Sequence, residues 1–132
     1  MSAVTLSHKR ILLIDDNPVT REALSMILAA SGYCVALANN GADALCRLRE
    51  HRRPDVILLD LSMPVLDGHD FRRQQQEDDA LASIPVIVFS GMDGAAEEAA
   101  LLGVAGYLHK PVEAARLLEA VRRCCEAKQA VG

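Results

Sequence analysis

Four short apolar runs constrain this chain more than any other feature: Ile11-Leu12-Leu13-Ile14, Val35-Ala36-Leu37, Val56-Ile57-Leu58-Leu59 and Val86-Ile87-Val88-Phe89. No polar residue alternates within them, so strands made from them would have no wet face. Such strands need cover on both sides, which is the situation of a parallel sheet between two helical layers. Tyr107-Leu108 is a fifth run, too short to stand alone and read as a strand partly from its position.

Helical periodicity fills the gaps between the runs. Leu24, Ile27 and Leu28 share one face, as do Ala44, Leu45 and Leu48, and later Leu117, Leu118 and Val121. Asn17-Pro18 reads as an N-cap followed by the first helical residue, and Asn40-Gly41 opens the second helix. Gly32 is expected to end the first helix and Gly103 the fourth, with Asp93 as a cap for the latter. The polar run Gln74 to Asp79 reads as a solvated helix end. Strand and helix alternating in this way imply right-handed crossovers and a doubly wound α/β sheet with helices on both faces.

Composition removes several classes of function. A net charge of −4 lacks the basic footprint of a nucleic-acid-binding module. No apolar stretch approaches the ~20 residues that span a bilayer, and Met1 to Arg10 has no apolar core of a signal peptide. The cysteines Cys34, Cys46, Cys124 and Cys125 fit no zinc spacing, and buried free thiols in a reducing cytosol are expected. Cys124-Cys125, near the C-terminus, is the pair that could be exposed and oxidised.

The residues that carry chemistry lie where the runs stop. Asp15-Asp16 follows the first, Asp60 ends the third, Ser90 follows the fourth and Lys110-Pro111 follows the last. In an open α/β sheet those strand ends form the ligand crevice. Carboxylates crowded together oppose one another's ionisation unless a cation neutralises them, and Mg2+ is the hard, oxygen-seeking ion for the task. A carboxylate can then act as nucleophile toward a phosphoryl group, giving an aspartyl phosphate. Charge on the transferring oxygens would be met by Mg2+, the Lys110 ammonium and the Ser90 hydroxyl, with Gly91 leaving room beside the strand end.

The motifs Ile-Asp15-Asp16-Asn-Pro, Leu-Asp60-Leu-Ser-Met-Pro-Val-Leu-Asp-Gly, Phe-Ser90-Gly and Tyr107-Leu-His-Lys110-Pro111 occur in that order. Together they resemble the receiver domain of two-component response regulators, including the single-domain chemotaxis type, from about Lys9 to Cys125. The resemblance implies a flavodoxin-like five-stranded parallel sheet of order 2-1-3-4-5 flanked by five helices. It implies that Asp60 is the phosphoacceptor and that Asp16, Asp60 and the Ser62 backbone carbonyl bind Mg2+, with Asp15 acting mainly through a water. Ser90 takes the place of the switch hydroxyl and Tyr107 that of the switch aromatic, altering the surface of helix 4, strand 5 and helix 5. The Lys110-Pro111 peptide is expected to be cis. Met92, two residues after Ser90, is apolar and cannot orient an attacking water, so slow self-dephosphorylation is expected.

Each residue also has a plainer reading. Asp15-Asp16 alone serves equally as a helix cap, Lys110 as a solvated loop lysine, Ser90 as an ordinary strand-end hydroxyl and Tyr107 as core. His109 reads as a surface histidine, and Arg52-Arg53 as a solvated loop. The combination at matching strand ends favours the site.

The expected organisation is an extension over residues 1–8, a receiver over 9–126 and a tail over 127–132. The expected protein is a cytoplasmic signalling switch rather than a metabolic enzyme. It takes its phosphoryl group from a histidine kinase or phosphotransfer protein and acts on an unnamed protein target, as a monomer or a phosphorylation-dependent dimer. No nucleic acid and no membrane enter. The Met1-Ser2 start and the tail favour a stand-alone chain over a relay module of a hybrid kinase. A phosphorylation-independent module would be expected to lose site residues that are all present here. A haloacid-dehalogenase-like hydrolase wants an acid where Ser62 stands.

Overall fold

Strands and helices alternate strictly in the computed structural model, which describes residues 9–50, 53–61, 68–91 and 94–131. The order is β1 (Arg10–Ile14), α1 (Pro18–Ala30), β2 (Cys34–Ala38), α2 (Gly41–Glu50), β3 (Val56–Asp60), α3 (Gly68–Glu77), β4 (Val86–Ser90), α4 (Ala95–Leu101), β5 (Gly106–His109) and α5 (Ala114–Val131). The strands form one parallel sheet in the order β2-β1-β3-β4-β5, as expected. Residues 127–131, set apart in sequence as a tail, continue the helical backbone of α5.

The unbroken apolar runs supply two cores rather than one. Successive side chains in a strand point to opposite faces. Ile11, Leu13, Leu58 and Phe89 therefore pack with Leu24 and Leu28 of α1 and Leu117 and Val121 of α5. Leu12, Ile14, Leu59 and Val88 pack on the other face with Leu45 and Leu48 of α2, Phe71 of α3 and Ala99 of α4. Every residue of β3 and β4 is buried. The edge strands depart from the expectation of two-sided burial: Cys34 and Ala36 in β2 and His109 in β5 are exposed, because an edge strand has a neighbour on one side only.

The helix punctuation is largely as read. Asn17 Oδ1 accepts from the backbone N–H groups of Val19 at 2.9 Å and Thr20 at 3.2 Å, with Pro18 in the first helical position. Asn40 Oδ1 accepts from Asp43 N at 2.8 Å at the start of α2. Gly32 and Gly103 take positive φ of 96° and 66° just past α1 and α4, a backbone region that side-chain-bearing residues enter at a cost. The N-cap of α4 is Gly94, without a side-chain cap bond, and Asp93 lies outside the described residues.

Two expectations need correction. Gln75, within the polar run read as solvated, is fully buried, as its neighbour Arg72 nearly is. Their polar groups are satisfied inside the protein, which polarity alone does not reveal. Among the cysteines, all free, Cys34 and Cys46 are the exposed ones, while Cys125 is buried and Cys124 half-buried. Cys34 opens an edge strand, and Cys125 packs in the core under α5. Among the described residues, no helix is long and apolar enough to cross a membrane.

Candidate functional site

The strand order reverses between β1 and β3, whose carboxyl ends lie side by side with Ile14 opposite Leu59. A crevice for ligands forms outside the strand ends at such a reversal. Asp15 follows β1 immediately and Asp60 is the last residue of β3. One carboxylate oxygen from each of Asp15, Asp16 and Asp60 lies within 4.8 Å of the others. Asp15 and Asp60 are buried, at 0% and 2% exposure, whereas Asp16 is exposed.

Asp15 is held by its neighbours. Its Oδ1 accepts from Asn17 N at 2.9 Å, while Arg21 of α1 donates from Nη1 to the Asp15 carbonyl at 2.7 Å. Its Oδ2 is buried without a hydrogen-bond partner. Burial is the main reason its carboxyl is raised from 3.8 to about 6, with the Asp60 charge adding and the Asn17 N–H and Lys110 opposing. With both carboxylates ionised nothing between them can donate, so the pair calls for a shared proton or a cation.

Lys110 faces the cluster from β5's far end. Its Nζ lies 3.3 Å from Asp60 Oδ2 and 5.3 Å from the centroid of the Phe89 ring. The Lys110-Pro111 peptide is cis. Lys110 N donates to the Ser90 carbonyl at 3.0 Å, and the half-buried Tyr107 donates its hydroxyl to the same carbonyl at 3.3 Å. Ser90 itself is fully buried at the end of β4. A Cβ on Gly91 would meet Lys110 Cβ at 3.5 Å, so the glycine keeps the space beside the lysine stem open.

The donor set fits a divalent ion. Three carboxylates against one ammonium leave a formal charge of −2, the oxygens are hard, and one is buried with nothing to bind it. Asp15, Asp16 and Asp60 are the residues that could hold Mg2+.

The structure thus brings together Asp15, Asp16, Asp60 and Lys110, and hangs Tyr107 and Lys110 from the Ser90 carbonyl. Ser62 and Met92 lie outside the described residues. His109 is exposed, with its ring edge-on to Tyr107 at 6.4 Å. Arg53 is exposed and donates to Ser83 Oγ at 2.6 Å. Sequence reasoning missed Arg21, whose available signal was its place one helical turn beyond the Asn17 cap. It also missed Phe89 as the ring beside the lysine.

Comparison with known proteins gives a consistent picture. The profile of the response regulator receiver domain matches residues 11–122. The polar-differentiation response regulator DivK of Brucella anthropi is 33% identical over 116 residues, covering 86% of this chain and 94% of DivK. Response regulator MprA of Mycobacterium leprae is 39% identical over 117 residues, covering 86% of this chain but 49%, about half, of MprA. Among solved structures, a response regulator receiver protein from Pseudomonas putida superposes with a TM-score of 0.81 at 32% identity, covering 88% of this chain and 97% of that one.

Proposed function

The chain belongs to the response regulator receiver family of two-component signalling, and from that premise we propose that Asp60 is its phosphoacceptor. The observation that carries the assignment is the convergence of Asp15, Asp16 and Lys110 on Asp60, a buried carboxylate at the sheet's topological switch point. The donor is a phosphohistidine on a histidine kinase or phosphotransfer protein, and the setting is the cytoplasm.

In the reaction an Asp60 carboxylate oxygen attacks the phosphorus in line. The P–N bond to the donor imidazole breaks, and the imidazole keeps the electron pair. Asp15, Asp16 and Asp60 would hold Mg2+, with the Ser62 carbonyl as a further proposed ligand, and the ion would supply positive charge to the phosphoryl oxygens. Asp60 needs no base, because an ionised carboxylate is already the nucleophile. Lys110 holds its ammonium where charge gathers, and its contact with Phe89 limits where the stem can go. The Ser90 hydroxyl donates to the phosphoryl group.

The same residues suggest how the event is read. The Ser90 carbonyl accepts from both Tyr107 and Lys110, so movement of Ser90 toward a phosphoryl group disturbs the seats of both. Tyr107 reports that movement on β5 and its flanking helices, where a protein target docks. Hydrolysis is slow, since Met92 cannot orient water.

The test is intact-protein mass after incubation with acetyl phosphate and Mg2+, for wild type and Asp60→Asn. One added phosphoryl group in wild type alone, abolished by EDTA, is the expected result. Equal gain in both proteins would move the acceptor elsewhere. No gain, from acetyl phosphate or from a phosphorylated donor protein, would leave a phosphorylation-independent binding module.

A further inference from the structure

Arg72 of α3 is 7% exposed, and its hydrogen bonds run to three neutral oxygens. Nε donates to the Leu102 carbonyl at 3.1 Å, Nη2 to the Gly103 carbonyl at 3.0 Å and Nη1 to Gln75 Oε1 at 2.8 Å. Gln75 is fully buried and turns its Nε2 to the carbonyls of Leu81, at 2.8 Å, and Ile84, at 3.1 Å. One guanidinium and one amide thereby join three separate segments: α3, the loop leading into β4, and the chain just past α4.

A buried cation without a carboxylate is an expensive way to fill space. Burial pulls the Arg72 guanidinium below its usual pKa, and an apolar side chain of similar volume would avoid that cost. What the rigid, planar fork provides is direction: several donors at fixed angles, holding two consecutive carbonyls in place at once. Those carbonyls follow the last turn of α4, where the negative end of the helix dipole favours a cation. Gly103, at a φ of 66°, turns the chain so that both oxygens reach the same guanidinium.

The connectivity gives this clamp a consequence. α3 is the helix that follows Asp60 in the chain, and α4 is the helix that follows Ser90. His69, one turn before Arg72, pairs with Glu98 of α4 at 2.6 Å, although both side chains are about half exposed and that tie is correspondingly weak. The strong tie is at the far end of α4. We propose that Arg72 clamps the C-terminal end of α4 to α3, so that α4 answers events at Ser90 by swinging its N-terminal end about a fixed far end. The clamp stands on the hydrogen bonds alone, and the swing rests on the proposed phosphorylation of Asp60.

Amide exchange measured by NMR on the full chain separates the two halves of the proposal. The amides of Leu102 and Gly103 bond to the carbonyls of Glu98, Ala99 and Ala100 and report the held end. Without phosphorylation, Arg72→Leu is expected to speed their exchange at least about tenfold while β1 and β3 amides keep their rates. A change within about twofold, or an equal rise throughout the sheet, overturns the clamp. If Arg72→Leu does not fold, Arg72→Lys carries the same readout. Its compact ammonium lacks the rigid fork that meets both carbonyls and Gln75 at fixed angles, so an intermediate rise of about threefold or more is expected, and none overturns the clamp.

With acetyl phosphate and Mg2+, wild-type amide shifts are expected to change at Ala95 to Glu98 and to hold at Leu102 and Gly103. In Arg72→Leu the change extends to both of those residues. Equal change at both ends of α4 in wild type overturns the pivot. Failure of the wild type to gain phosphoryl mass counts against the proposed function, while the unphosphorylated comparison still decides the clamp.

Discussion

The Asp15 carboxyl sits about 6 rather than 3.8 chiefly because it is buried, with the Asp60 charge adding to the shift. The folded chain therefore holds this proton more tightly than the unfolded chain does. The stability from that preference is complete below about pH 4 and is lost as the pH rises through about 6. At neutral pH without metal, ionised Asp15 costs about 2–3 kcal/mol relative to an unshifted acid. Asp15→Asn removes the charge and gives Asp60 an N–H donor. Urea unfolding in EDTA at pH 7.5 should find it more stable than wild type by about that amount, with the difference closing near pH 4. A destabilised variant at pH 7.5 would mean that the site tolerates its charges without a cation. Lys110 faces the opposite test. Lys110→Met keeps much of the stem but leaves Asp60 without its ammonium partner, and labelling by acetyl phosphate should slow by about a hundredfold or more. Mass spectrometry over a time course measures this, and an unchanged rate would make the lysine a bystander.

At the scale of elements, β3 and β2 differ in what surrounds them, although both are apolar in sequence. Leu58 is completely buried in the middle of the sheet, while Leu37 in the edge strand is only partly so. Leu58→Ala should cost about 3–4 kcal/mol, and Leu37→Ala about 1–2 kcal/mol. Urea midpoints of the two variants check the ordering, and equal costs would contradict the edge position of β2. The contrast also explains which parts of this protein were legible. Runs such as Val56 to Leu59 name buried strands because they are short, aliphatic and bounded by turn residues rather than embedded in a helical pattern, and acids placed directly after them mark the crevice. Asn17-Pro18 and Gly103 were readable because caps and positive-φ turns use few residue types. Edge strands were less so, since exposure depends on a missing neighbour that the strand's own residues do not encode. The Arg72-Gln75 cluster was illegible: polar side chains in or beside a polar run give no sign that backbone carbonyls further along the chain will receive them. Arg21 escaped for the same reason, its acceptor being a backbone oxygen with no identity in sequence.

Over the whole molecule, the fold places an unfavourable cluster of charge at the carboxyl end of a sheet whose central strands are sealed on both faces. The cores supply enough stability to hold the carboxylates together before any ligand arrives, and a ligand that relieves them should return stability to the entire domain. A cation that binds the folded state alone adds about 2.7 kcal/mol at a hundredfold excess over its Kd. For a domain of this size that corresponds to a rise in Tm of roughly 5–10 °C. Two variants show whether the gain comes through this cluster. Asp16 is exposed, so Asp16→Asn should leave the Tm in EDTA nearly unchanged yet remove most of the Mg2+ increment. Asp15→Asn should begin higher in EDTA and also lose the increment, so that saturating Mg2+ narrows or closes its advantage over wild type. Calorimetry of the three proteins with and without Mg2+ makes the comparison. A Mg2+ increment that survives both substitutions would place the ion elsewhere on the molecule, because neither remaining pair of carboxylates retains the charge that makes this crevice attract a divalent cation.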